Sequence, residues 1–224
     1  IIGVGDAQDI SHIPDDYIHY FAIDPPFGEN IQYGELNFIP ESWLGTHTDV
    51  TQEAVINRFR DQDVERYLGM MERGFRELYR VLRPERFGTV IFNSSSPQLW
   101  FGVKAALLRA GFSIESVTCM VKGHGGWNQV VHSKYTTRYD PLIHVLKSAK
   151  PQIVRPSDPK NVNQTERQIV DLVRKHLEDL DESAPNYHRS LPYVHSLVVR
   201  NLLRFEDLTR PPSPRELESI LERH

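Results

Sequence analysis

The chain has 224 residues, 39% apolar and 25% charged, the composition of one ordinary globular domain with room for a small appendage. Its single cysteine, Cys119, and the spacing of its ten histidines exclude a disulfide scaffold and a zinc finger. No apolar run reaches the roughly 18 residues of a membrane span and no basic-then-apolar leader opens the chain, so a soluble, cytoplasmic protein with neither a metal nor a membrane partner is expected.

The net charge of −4 hides a gradient. Residues 1–100 carry 8 basic and 16 acidic side chains, residues 101–150 carry 7 and 2, and residues 151–224 carry 11 and 12. Any contact with phosphates should therefore come from the stretch holding Lys104, Arg109, Lys122, Lys134, Arg138, Lys147 and Lys150, unless that stretch is simply a solvated face.

In chain order, Ile1-Ile2-Gly3-Val4 reads like the middle of a strand, so a preceding segment is expected. Tyr17 to Ile23 is an aromatic and aliphatic run that suits a buried parallel strand, closed by Asp24-Pro25-Pro26. Glu53 to Leu82 has helical spacing of apolar residues, which predicts two helices broken near Asp61 to Asp63 and stopped by Pro84. Phe87 to Phe92 is the next strand, Pro97 to Ala110 a helix ended by Gly111, and Phe112 to Val121 a third strand. A Gly-rich connection, Gly123 to Trp127, leads to a fourth strand, Tyr139 to Leu146, able to return antiparallel to the third. This is the second half of a doubly wound α/β sheet. Residues 151–159 then read as a linker between residues 1–150 and a small helical appendage over 160–224, with helices expected at Glu166 to Leu180, Tyr193 to Phe205 and Pro214 to Arg223.

The feature with the most chemistry is Asp24-Pro25-Pro26-Phe27, directly after a strand. Two prolines remove two N–H donors and fix the backbone, so carbonyl oxygens are presented in the cleft outside the strand's C-terminal end, where open α/β sheets bind ligands. Asp24 adds an acceptor and Phe27 an aromatic face. Such a set suits the exocyclic amino group of a nucleobase, taken from a single strand or flipped out of a duplex.

The segment Asp24 to Asn30 resembles motif IV of the amino-group DNA methyltransferases, which use S-adenosylmethionine to methylate adenine N6 or cytosine N4. Three longer stretches, Asp24 to Gly45, Glu77 to Pro84 and Trp100 to Phe112, resemble large bacterial adenine-specific methylases. The resemblance implies a class I (Rossmann-like) α/β methyltransferase sheet of strand order 3-2-1-4-5-7-6. It implies Asp24, Pro25, Pro26 and Phe27 as catalytic residues, and Gly5-Asp6-Ala7 as the motif at which Asp6 and Ala7 meet the cofactor. The Gly-rich motif I is absent: Gly3-Val4-Gly5 is followed by no long amphipathic helix, so strands one and two are expected upstream, the cofactor pocket is expected to be incomplete, and the sheet edge at Asp24 is expected to be open to self-association or a companion subunit.

Asn30 and Tyr33 are candidates for positioning the base, or else a turn residue and a core residue, and Glu35 stands with them. Lys134 and Arg138 are substrate candidates in the basic connection, where His124, Trp127, Gln129 and His132 interleave aromatic and polar groups, or else they belong to a plain surface loop. Asn93-Ser94-Ser95-Ser96 either lines the pocket or caps a helix. Trp43 and Trp100 are expected in the core, and Cys119 buried and inert. The expected activity is methylation of adenine N6 in DNA, as part of a larger enzyme; an RNA amino-group methyltransferase and a non-catalytic nucleic-acid-binding subunit are the alternatives.

Overall fold

In the computed structural model, which describes residues 6–29, 31–121, 139–148, 162–181, 183–184, 186–203 and 212–223, four strands form one sheet. They are β1 (Ile18–Ile23), β2 (Leu82–Ile91), β3 (Ser113–Val121) and β4 (Tyr139–Leu146). The order is β1-β2-β4-β3, with β1 parallel to β2 and β4 antiparallel to both neighbours. This order and these directions are those expected of the 4-5-7-6 half of a class I (Rossmann-like) methyltransferase sheet, and a helical C-terminal part follows. The chain is an α/β protein.

Helices α1 (Tyr33–Leu36) and α2 (Phe38–Leu44) follow β1, α3 (Val64–Val81) leads into β2, and α4 (Pro97–Ala110) joins β2 to β3. The C-terminal part holds α5 (Val162–Glu178), α6 (Leu191–Leu203) and α7 (Pro214–Arg223). The start of α3 is set by Asp63, whose side chain accepts from the Arg66 N–H at 2.8 Å, satisfying one of the orphan donors of the first turn. Ser96 performs the same function for α4, with Pro97 in the first turn and Gly111 at the C-terminal stop.

Alternation along the strands divides the sheet into two faces. Phe21, Val90, Ile143 and Val117, one from each strand, bury with Tyr67, Met71 and Phe75 of α3 and Trp100, Val103 and Leu107 of α4. Gly88 makes room on β2, since any Cβ there would strike the Phe21 ring. On the other face Tyr20 donates to Thr89 Oγ1 at 2.7 Å, Thr89 Oγ1 lies 3.0 Å from His144 Nδ1, and His144 Nε2 lies 2.9 Å from Thr118 Oγ1. That polar row also draws one residue from every strand. Helix α6 serves two clusters: Val199 and Leu203 join the sheet core, while Val194, Val198 and Leu202 pack with Ile169 and Val173 of α5 and Leu217 and Ile220 of α7.

Two expectations are corrected. β1 is parallel, but as the edge strand among the described residues it buries only Phe21, and Tyr20 is exposed. The first of the two helices expected over Glu53 to Leu82 does not form. Residues 53–57 lie outside any helix, and Val55 and Ile56 are buried while Phe59 is fully exposed. Backbone and side-chain bonds tie them to residues 28–34 and to Gln62 instead, and this pairing overrides the local apolar spacing. Residues 1–5, the 122–138 connection and the 151–159 linker fall outside the described residues.

Candidate active site

The pairing of Ile23 with Val90, and of Val121 with Tyr139, puts the C-terminal ends of β1, β2 and β3 and the start of β4 on one rim of the sheet. Asp24 leaves that rim from β1 and is exposed; Pro25, Pro26 and Phe27 behind it are half-buried, and Gly28 is buried. Asn93 follows β2 on the same rim and donates through Nδ2 to Asp140 Oδ1 of β4 at 2.9 Å, with Asp140 buried. The rim thus carries carboxylates on both its edge and its interior strands.

The loop after β1 is anchored at three successive positions. The Tyr67 hydroxyl of α3 donates to the Pro26 carbonyl at 2.7 Å. Phe27 packs edge-on against Phe92, ring centroids 5.4 Å apart, and Phe92 packs in the same way on Trp100. Gly28 takes φ of 78° and its carbonyl accepts the Ile56 N–H at 3.1 Å. Burial raises the pKa of Tyr67 well above its ordinary value, opposed in part by the Gly28 backbone, so the hydroxyl remains a neutral donor. The Pro26 carbonyl is thus engaged within the protein by Tyr67. The Phe27 ring is likewise engaged, one edge of its surroundings being the core itself.

The next residues form a second layer of support. Gln32 Nε2 donates to the Ile56 carbonyl at 3.1 Å and its Oε1 accepts from Asn57 at 2.9 Å. The Gly34 N–H donates to Glu53 Oε1 at 3.1 Å, and Arg60 bridges Glu35 at 2.7 Å and Glu53 at 3.7 Å. Glu35 is therefore tied to Arg60 in an ion pair. Tyr33 begins α1 and is exposed.

Ser94 to Ser96 act as helix-start groups: Ser96 accepts from the Leu99 N–H and the Ser94 carbonyl accepts from Trp100 Nε1 at 2.6 Å. Trp100, 2% exposed, is a core residue as expected. Trp43 is not. It is 87% exposed on α2, beside exposed Leu36, Phe38, Ile39 and Leu44. Asp6 and Ala7 are exposed in a tight turn in which Asp6 accepts the Gln8 N–H at 2.8 Å. Asn30, Lys134 and Arg138 lie outside the described residues, as do His124, Trp127, Gln129 and His132. Cys119 is partly buried, and desolvation raises its pKa, which suits an unreactive thiol. Tyr67 and Asn57, which hold the loop, carry no local signal in sequence; only the apolar spacing of α3 places Tyr67 inward.

Neither a family model nor a curated protein matches the sequence. Among the solved structures, PvuII DNA methyltransferase (cytosine-N4-specific) overlays with a TM-score of 0.44 at 12% identity, covering 98% of this chain and 90% of that one. A candidate DNA modification methylase from Thermus thermophilus gives 0.40 at 13% identity, covering 87% and 72%. M1.HpyAVI, in complex with S-adenosylmethionine, gives 0.34 at 13%, covering 70% and 58%. The functional reading therefore rests on the residues of this chain.

Proposed function

We propose that the chain carries the catalytic portion of an S-adenosylmethionine-dependent amino-group methyltransferase acting on adenine N6 in DNA. The observation that carries the reading is the Asp24-Pro25-Pro26-Phe27 loop, held at the C-terminal rim of the sheet with Asp24 exposed. The strand order supports it, as does the ordered series of motif-like stretches along the chain.

Asp24 and the Pro25 carbonyl accept the two N–H bonds of the adenine amino group in this scheme, and the nitrogen lone pair is thereby turned toward the electrophile. Phe27 supports one side of the base from its seat on Phe92. Asp6 and Ala7 are the residues that would hold the cofactor; an exposed carboxylate in a tight turn suits the amine and hydroxyl donors of a nucleoside. S-adenosylmethionine supplies a methyl group activated by a sulfonium. The residues named here bind and orient, and most of the acceleration comes from holding two substrates in line beside preorganised acceptors. Tyr33 and Asn30, with Lys134 and Arg138, complete the proposed DNA-binding set. No described helix is long and apolar enough to cross a membrane, and a cytoplasmic setting is part of the same proposal. The edge of β1, with which no further described strand pairs, is where a companion subunit or second copy would pair.

The test is methylation of DNA by the intact protein, followed by digestion to nucleosides and mass spectrometry. N6-methyladenine is the expected product. N4-methylcytosine in its place would reassign the base, and methyl transfer confined to RNA would reassign the polymer.

A further inference from the structure

Tyr67 is fully buried in the core beneath the loop, and its hydroxyl is the one polar group of α3 that reaches the Pro26 carbonyl. Packing alone would be satisfied by phenylalanine. Placing a hydroxyl in an apolar site is favourable only when it is hydrogen-bonded, and here its partner is a backbone atom of the segment with the most chemistry.

The consequence for that segment follows from backbone geometry. Pro25 and Pro26 have φ fixed by their rings, and Asp24 and Pro25 each precede a proline, which biases both toward extended or polyproline conformations. A bond that holds the Pro26 carbonyl on α3 therefore fixes the peptide plane after Pro26, and through the restricted backbone of Pro26 and Pro25 it restrains the Pro25 carbonyl one residue back. Because the peptide unit is planar, the same bond fixes the direction of the Phe27 N–H, at the residue whose ring packs on Phe92.

We infer that Tyr67 is a positioning residue: by holding the Pro26 carbonyl it presents the Pro25 carbonyl and Asp24 to the amino group of the substrate. This deepens the reading under Proposed function and rests on it for the identity of the substrate, whereas the holding of the loop stands on geometry alone. Asp24 touches the base; Tyr67 acts only through the loop.

The experiment compares Tyr67→Phe with Met71→Ala in the intact protein. Met71 is a buried neighbour on the same helix face, and its truncation loosens the core without touching the Pro26 carbonyl. Two quantities are read, amide hydrogen exchange at Phe27, Gly28 and Glu29, and the steady-state constants for methyl transfer. Tyr67→Phe should raise exchange at those three amides about tenfold or more and lower kcat about tenfold, with KM for DNA and cofactor within about twofold. Met71→Ala should leave loop exchange within about twofold of wild type. Unchanged loop exchange in Tyr67→Phe, equal acceleration in both variants, or faster exchange with an unaltered kcat would each overturn the inference. If the wild-type protein transfers no methyl group, the functional reading fails while the exchange comparison still decides whether Tyr67 holds the loop.

Discussion

Gly28 and Leu99 bring the loop after β1 and the first turn of α4 into contact so close that a Cβ on Gly28 would stand 2.8 Å from Leu99 Cδ1. Gly28 also has a left-handed φ of 78°, a conformation that costs an L-residue roughly 1–2 kcal/mol. Both constraints act on the residue just past Phe27. The Gly28→Ala variant should therefore lose about 1–2 kcal/mol from the backbone alone, plus whatever displacing Leu99 costs, and its turnover should fall because a residue strained at that φ shifts the loop. Urea unfolding midpoints measure the first effect. A loss under about 0.5 kcal/mol would mean that the loop is not fixed as described.

Asp24 is exposed on the rim, whereas Pro25, Pro26 and Phe27 behind it are half-buried. Its replacement should leave the fold intact and remove an acceptor whose interaction strengthens as the amino nitrogen becomes a nucleophile. Asp24→Ala is expected to lower kcat about 100-fold or more with little change in DNA affinity. Asp24→Asn, which retains one carbonyl acceptor, should be milder. Retention of more than about a tenth of the turnover by Asp24→Ala leaves under roughly 1.4 kcal/mol for the carboxylate, too little for the proposed mechanism.

Lys104 lies on α4 and is only 1% exposed; its Nζ donates to the Leu202 carbonyl at 3.0 Å. Leu202 belongs to the last turn of α6, where carbonyls lack partners within the helix and the negative end of the dipole favours a cation. The bond fastens the C-terminal helices to α4 at the point where Val199 and Leu203 enter the sheet core. Lys104→Met keeps the length of the side chain and removes the donor. The unfolding free energy should drop by about 1–3 kcal/mol, the usual cost of stranding a buried acceptor. An unchanged urea midpoint would show that the aliphatic stem alone makes the contact.

The parts of the fold that sequence reveals are those whose local chemistry agrees with their burial. Pro97, Ser96 and Gly111 bracket α4, and the apolar runs of β2 and β4 lie in the interior of the sheet. Helices α1 and α2 escape such a reading because they bury no residue, so no apolar period marks them, and Trp43, a residue type at home in cores, stands in the open. Residues 53–57 mislead in the opposite way: Val55 and Ile56 are buried at spacings that fit a helix, but their backbone is engaged with Gly28 and Gln32. At the site, the Asp-Pro-Pro-Phe string announces itself because two successive prolines after a strand are costly without a purpose. The Tyr67 contact does not, since a hydroxyl bonded to a carbonyl 41 positions away has no sequence signature.

His195 on α6 yields a prediction in pH. It is 3% exposed, and its Nε2 lies 2.9 Å from the Pro212 carbonyl, which accepts from the neutral ring. Burial lowers its pKa, and the Pro212 bond offsets this only in part. The folded state therefore binds a proton less readily than the unfolded chain, whose imidazole titrates near about pH 6.5. Above that pH both states are neutral and the stabilisation from burying the ring is intact. As the pH falls below it the unfolded state takes up the proton first, so stability declines by up to about 1.4 kcal/mol per pH unit until the folded-state pKa is reached. His195→Gln retains an N–H donor and removes the titration. Urea midpoints measured from about pH 7.5 to 5.5 should therefore fall more steeply for wild type than for the variant, the other histidines cancelling in the comparison. A difference between the two proteins that stays constant across that range would show that His195 does not enter the folded state as a buried neutral ring.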